Sequence, residues 1–155
     1  NLDKIDPRAL PGLDYLIASL HTVCIEPSTK EDNTKAILNA MEQEKVKIIG
    51  HPDDSRYPLD YEAIVKRAKE KNILLEVNNS SLSPDTSREG TRENVKTYLE
   101  LCKKYGVRII MGTDSHICYD IGIFTHVEQL IEEINFPKEL VINYWEDKII
   151  EFFGI

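Results

Sequence analysis

Ile73-Leu74-Leu75-Glu76-Val77-Asn78-Asn79 is the stretch that decides the fold, read with the Ser, Pro and Gly-rich loop after it and with Val95, Tyr98, Leu99 and Cys102 beyond. A short, near-continuous apolar run ending in polar residues is a strand buried on both faces, and apolar residues at i, i+3, i+4 and i+7 are one face of a helix. Gly106 follows at the position of a left-handed cap. Working outward, the same unit recurs. Upstream, Val46 to Gly50 ends at His51 and Pro52 and is followed from about Asp60 by Tyr61, Ile64, Val65 and Ala68. Before that, Tyr15 to Leu20 ends at His21, and a loop with Pro27 leads to a helix expected from about Asn33 to Lys45, with Ala36, Ile37, Ala40 and Met41 on one face. Downstream, Val107 to Gly112 ends in Thr113-Asp114-Ser115-His116 and is followed by Val127, Leu130, Ile131 and Ile134. A short fifth run, Leu140 to Asn143, precedes a closing amphipathic segment with Trp145, Ile149, Ile150 and Phe153, and a lead-in with Pro7, Pro11 and Gly12 precedes everything. Buried strands alternating with one-faced helices make the class α/β, with parallel βα units. Two architectures fit: an open doubly wound sheet, or part of a barrel, since a complete eight-unit barrel takes about 250 residues.

The 155 residues are expected to form a single domain, 1–155, with no linker or low-complexity tract dividing them. Nineteen Lys and Arg stand against 27 Asp and Glu, a net charge of -8, and 41% of residues are hydrophobic, enough for a core. The isoelectric point near 5.0 argues against a nucleic-acid or anionic-membrane partner. A small anionic substrate stays open, because a bound metal reverses the local field. The apolar runs are far below the roughly 20 residues that span a bilayer, and no signal peptide is visible. Cys24, Cys102 and Cys118 are odd in number and form no C-x-x-C pair, so they read as buried small residues in a reducing cytoplasm. The chain begins at Asn1 with no initiator Met, which reads as a piece of something longer.

Chemistry collects where the apolar runs end. His21, His51, Asn78, Asn79, Asp114 and His116 all follow a strand, the end at which parallel α/β folds build their sites. Imidazoles and a carboxylate on one rim are ligands for zinc, manganese or iron, and such metals together activate water and clamp a phosphoryl group. If Asp114-x-His116 stays in strand geometry, both side chains point the same way.

Ile17-Ala18-Ser19-Leu20-His21, Ile49-Gly50-His51-Pro52, Leu75-Glu76-Val77-Asn78-Asn79-Ser80-Ser81 and Gly112-Thr113-Asp114-Ser115-His116 resemble, in order, the later motifs of the PHP (polymerase and histidinol phosphatase) superfamily, closest to its YcdX-type phosphatase branch. The resemblance covers Asp14 to Phe153 and implies the C-terminal part of a distorted (βα)7 barrel holding up to three divalent metals, zinc first with manganese or iron as alternatives, that hydrolyses phosphoesters. Carried over by position, it implies His21 and His51 on the second metal, Asp114 on the first and His116 on the third. Asn78 and Asn79 would support the rim, and Arg88, beside Glu89 in the following loop, would meet phosphate. Arg92 reads as surface and His126, in mid-helix, as structural. The family's opening His-x-His, two further histidines and a bridging Glu are absent, since no His precedes His21 and Asp3, Asp6 and Asp14 sit in no matching context.

The implied activity is therefore that of a metal-dependent phosphatase acting on a small phosphorylated substrate, with the isolated chain inactive because its four ligands are spread over three metals. The competing reading is a non-catalytic α/β module whose rim residues are structural or hold a lone metal. A homo-oligomer formed through uncovered sheet edges and helix faces is a further expectation.

Overall fold

The computed structural model describes Arg8 and residues 10–155, so Asp3, Asp6 and Pro7 lie outside the described residues. Four strands, β1 (Leu16–Ala18), β2 (Val46–Ile49), β3 (Leu74–Asn78) and β4 (Ile109–Gly112), pair in parallel and lie side by side in chain order. Helices α1 (Lys30–Ala40), α2 (Tyr61–Lys71) and α3 (Thr91–Tyr105) make the crossovers, and α4 (Thr125–Glu133) and α5 (Glu146–Phe153) follow β4.

Strand order decides between the two architectures. A doubly wound sheet reverses direction at a switch point. Here every crossover steps to the next strand in the same direction, and crossovers of one hand then lay successive helices on one face. Accordingly α1 packs beside α2, and α2 beside α3. The pleat divides the strand side chains between two cores. Ile49, Leu75, Val77, Ile109 and Met111 join the helices in the main core, around Ile64, Tyr98, Leu99 and Leu130. Ile48, Leu74 and Ile110 point the other way and meet Ile142, Ile149, Phe152 and Phe153. Thus α5 covers the lower half of the second face. Towards the strand C-termini that face carries Ile17, which is 56% exposed, and then Gly50, Glu76 and Gly112.

Three local expectations need correction. Helix α1 starts earlier than Asn33 because Thr29 caps it, its side chain accepting from the Asp32 N–H, and it ends at Ala40 rather than Lys45. Its buried face uses Asn33, Thr34 and Ile37 with Met41, while Ala36 and Ala40 are half-buried. The fifth run is no strand. Lys138–Leu140 and Ile142–Tyr144 are 3-10 turns, Val141 makes one bridge to Ile109, and the Asn143 side chain does the rest. Its Oδ1 accepts from Met111 N at 2.7 Å and its Nδ2 donates to Met111 O at 3.0 Å, so one amide satisfies a residue of the β4 edge as a strand would. Finally, His126 lies in the first turn of α4 rather than in mid-helix. Among the described residues, no helix is long and apolar enough to cross a membrane.

Candidate functional site

At the C-terminal ends of the strands the chain leaves the sheet in strained turns. His51, after β2, has φ +29, and Asp114, after β4, has φ +51. Left-handed backbone at residues with a Cβ costs about 1 kcal/mol or more each and gathers at functional sites. The turns bring side chains together. The His21 and His51 rings meet edge to face, centroids 4.8 Å apart. Arg88, 15% exposed along its side chain, donates from Nη1 to Ser81 Oγ at 2.7 Å and from Nη2 to Asp114 Oδ2 at 2.9 Å. The loop residue placed provisionally against phosphate is therefore built into the rim rather than solvated. His116 is 89% exposed along its side chain, with Nε2 3.9 Å from Asp114 Oδ1. Because Asp114 is left-handed, the strand alternation that would aim both side chains alike does not hold here; the two are near each other by way of a turn.

Charge in the rim follows from its surroundings. Burial chiefly, then the positive Arg88, lowers the His51 pKa to about 4, so its imidazole is neutral at pH 7. Burial works against the Asp114 carboxylate, but the hydrogen bond and charge of Arg88 outweigh it and hold the carboxyl below its ordinary value.

Beneath the rim lies Glu76, a carboxylate that the sequence reading did not single out. It accepts the His51 N–H at 2.7 Å and so pins the strained residue, while burial raises its pKa against that bond and one from Asn78. Gly112 makes room for it. A Cβ there would stand 1.9 Å from Glu76 Oε1, whereas a Cβ on Gly50 would crowd Ile17 and Ser19, at 3.1 and 3.3 Å, rather than the carboxylate. The signal was the single charge inside the 73–77 apolar run. Asn78, 1% exposed, favours the charged forms of both Glu76 and Asp114 with its amide, and its Oδ1 accepts from Ser81 N. Asn79 reaches away and accepts from the N–H groups of His126 and Val127, capping α4. Asp53 was also missed: it is fully buried, neither oxygen has a hydrogen-bond partner, and burial pushes its pKa up to about 7. No pattern marks it in the sequence, since an acid after His51-Pro52 reads as a turn residue. Arg92 pairs with Glu133 on the surface. Of the cysteines, Cys102 is buried as expected, but Cys24 and Cys118 are exposed because both fall in loops outside the helix and strand pattern.

The donor chemistry fits a divalent metal: two imidazoles in contact, one of them held neutral, which is the ligating form, and an ionised carboxylate on the same rim. The number of donors is short of a shell. Among the described residues, no three His, Cys, Asp or Glu side chains close on one point, and Asp114 is engaged by Arg88.

No family model matches the chain. Over 148 residues it is 54% identical to a Clostridium acetobutylicum protein named "Probable phosphatase", with 96% of this chain and 60% of that protein aligned. A protein of the same name from Clostridium novyi is 51% identical over 152 residues, 98% of this chain and 61% of its own length. One from Acetivibrio thermocellus is 43% identical over 143 residues, 92% and 58% respectively. The chain thus spans about three fifths of the length of the curated relatives it matches. The α/β sheet with its rim of histidines, Asp114 and Arg88 belongs to a chain similar over nearly its whole length to bacterial proteins named as phosphatases.

Proposed function

We propose that this chain carries part of the active site of a metal-dependent phosphoester hydrolase of the PHP type, acting on a small phosphorylated substrate. The observation that carries the reading is that the His21–His51 ring pair and the Asp114–Arg88 ion pair stand together at the C-terminal ends of four sequentially ordered parallel strands, with His21 and Arg88 lining one cleft. The names of the relatives support its phosphatase part. His21, His51 and Asp114 would hold divalent metal, zinc, manganese or iron, with His116 swinging in from its exposed turn. When bound, such metals lower the pKa of water and stabilise charge on a transferring phosphoryl group. Glu76 fixes the backbone of His51, and the Asn78 amide favours the ionised form of Asp114. Arg88 supplies the guanidinium that meets phosphate oxygens. The exposed thiols of Cys24 and Cys118 suit a reducing cytoplasm.

With so few donors the isolated chain binds metal weakly and turns over little or nothing, and the complete reaction belongs to the longer protein. Metal content by element, together with hydrolysis of p-nitrophenyl phosphate, tests the reading on this chain and on a longer polypeptide containing it. In the longer protein, His51→Ala or Asp114→Ala should abolish turnover and lower bound metal. Full activity in both variants overturns the reading. The Asp114–Arg88 pair also favours a second reading, a non-catalytic α/β module whose rim is already neutralised within itself. In that case neither zinc nor manganese raises the melting temperature.

A further inference from the structure

Arg88 holds the rim by two bonds of unequal kind. One goes to the neutral Ser81 Oγ, the other to the charged Asp114 Oδ2. The guanidinium stands on the carboxylate that the metal-centre reading assigns to a metal, and a guanidinium and a divalent ion repel at a shared carboxylate. We propose that Arg88 is an exchangeable counter-cation: it neutralises Asp114 until a divalent metal takes that carboxylate, and then turns about its Ser81 anchor towards an anionic group of the substrate. This rests on the metal-centre reading and adds a coupling to it.

Where the guanidinium goes is set by the cleft beside it, about 180 Å³ in volume and lined by His21, Thr22, Arg56 and Arg88 among others. Arg56 brings no net charge there, because Asp54 accepts from its Nε at 3.0 Å and from its Nη2. Before the exchange each guanidinium is matched by a carboxylate. Afterwards Arg88 has lost its ion-pair partner and keeps only the longer-range attraction of the buried Glu76 and Asp53 carboxyls, so the cleft becomes more positive. Metal loading therefore prepares the site for an oxyanion, and by reciprocity a bound oxyanion favours the metal. An apo site that stays neutral does not hold free phosphate in the metal's absence.

The test is Mn2+ affinity of the longer polypeptide that contains this chain, read by the electron paramagnetic resonance of free Mn2+, in wild type, Arg88→Gln and Arg88→Lys. Gln keeps a hydrogen-bonding partner for Ser81 without the charge, and Lys keeps the charge. Arg88→Gln should bind Mn2+ about tenfold or more tightly than wild type, the scale of a hydrogen bond to a charged group, with Arg88→Lys close to wild type. Binding by Arg88→Gln where wild type shows none supports the exchange equally. Equal or weaker binding by Arg88→Gln overturns it while leaving the metal centre standing. If none of the three binds Mn2+, the metal-centre reading itself fails and the exchange falls with it.

Discussion

Glu76 sits in the space left by the missing side chain of Gly112. A methyl group on Gly112 would occupy the space of the Glu76 carboxylate, so Gly112→Ala should destabilise the chain by about 1–3 kcal/mol in urea unfolding. Shortening the acid at the same time, in Glu76→Ala with Gly112→Ala, should return part of the loss, because neighbours that share a space do not act additively. A Gly112→Ala chain as stable as wild type would refute the contact. Thiol chemistry separates equally by surroundings. Burial pushes the Cys102 thiol up to about 12, whereas Cys24 and Cys118 are exposed, so iodoacetamide at pH 8 should label two cysteines and spare Cys102 until the chain is denatured. Labelling of Cys102 in the native chain, seen by mass spectrometry, would contradict its burial. Individual residues were legible in the sequence where their position is fixed by the strand before them, as for His21, His51 and Asp114. Glu76 and Asp53 were not, because their roles depend on a glycine and loops from other strands, which no single stretch of sequence displays.

Helices α2 and α3 are joined by Glu62, which accepts from the Tyr105 hydroxyl and pairs with Lys66 and Lys104. Led by the Tyr105 hydrogen bond, these partners hold its pKa down to about 2. A carboxyl with a lowered folded pKa contributes stability that is fully present above about pH 4.5 and is lost as the pH falls towards 2. Glu62→Gln should therefore flatten the acid limb of a urea-stability profile between those values while changing little at high salt, where exposed pairs are already screened. An unchanged acid limb would remove Glu62 from the account. At the β4 edge, Asn143→Ala leaves the Met111 N–H and C=O without their amide partner and should cost about 1–3 kcal/mol. Retention of full stability would mean that water replaces the amide. Helix α3 was readable as far as its C-terminal cap because its buried stripe and Gly106 agree, but the Leu140 to Asn143 run has a strand's composition and a different structure. Its backbone turns, and a side chain supplies the pairing.

For the molecule as a whole, the periodicity showed parallel βα units, but not the order of the strands, which depends on how the crossovers step rather than on any local pattern. That order leaves the upper half of one sheet face lined by Ile17 and by the rim, with Tyr119 and Ile121 exposed on the loop after β4. If a metal binds only the folded rim, zinc or manganese should raise the melting temperature and a chelator should reverse the gain, whereas a structural rim predicts identical melts. Strand order also bears on which parts of the chain depend on one another. Each strand has its partner one βα unit away in sequence, so no pairing in the sheet joins the two ends of the chain. Helix α5 is different, for its apolar residues meet Ile48, Leu74 and Ile110 from three separate strands. Its seat is complete only when those three strands are in register, so the second face depends on β2, β3 and β4 together rather than on any single βα unit.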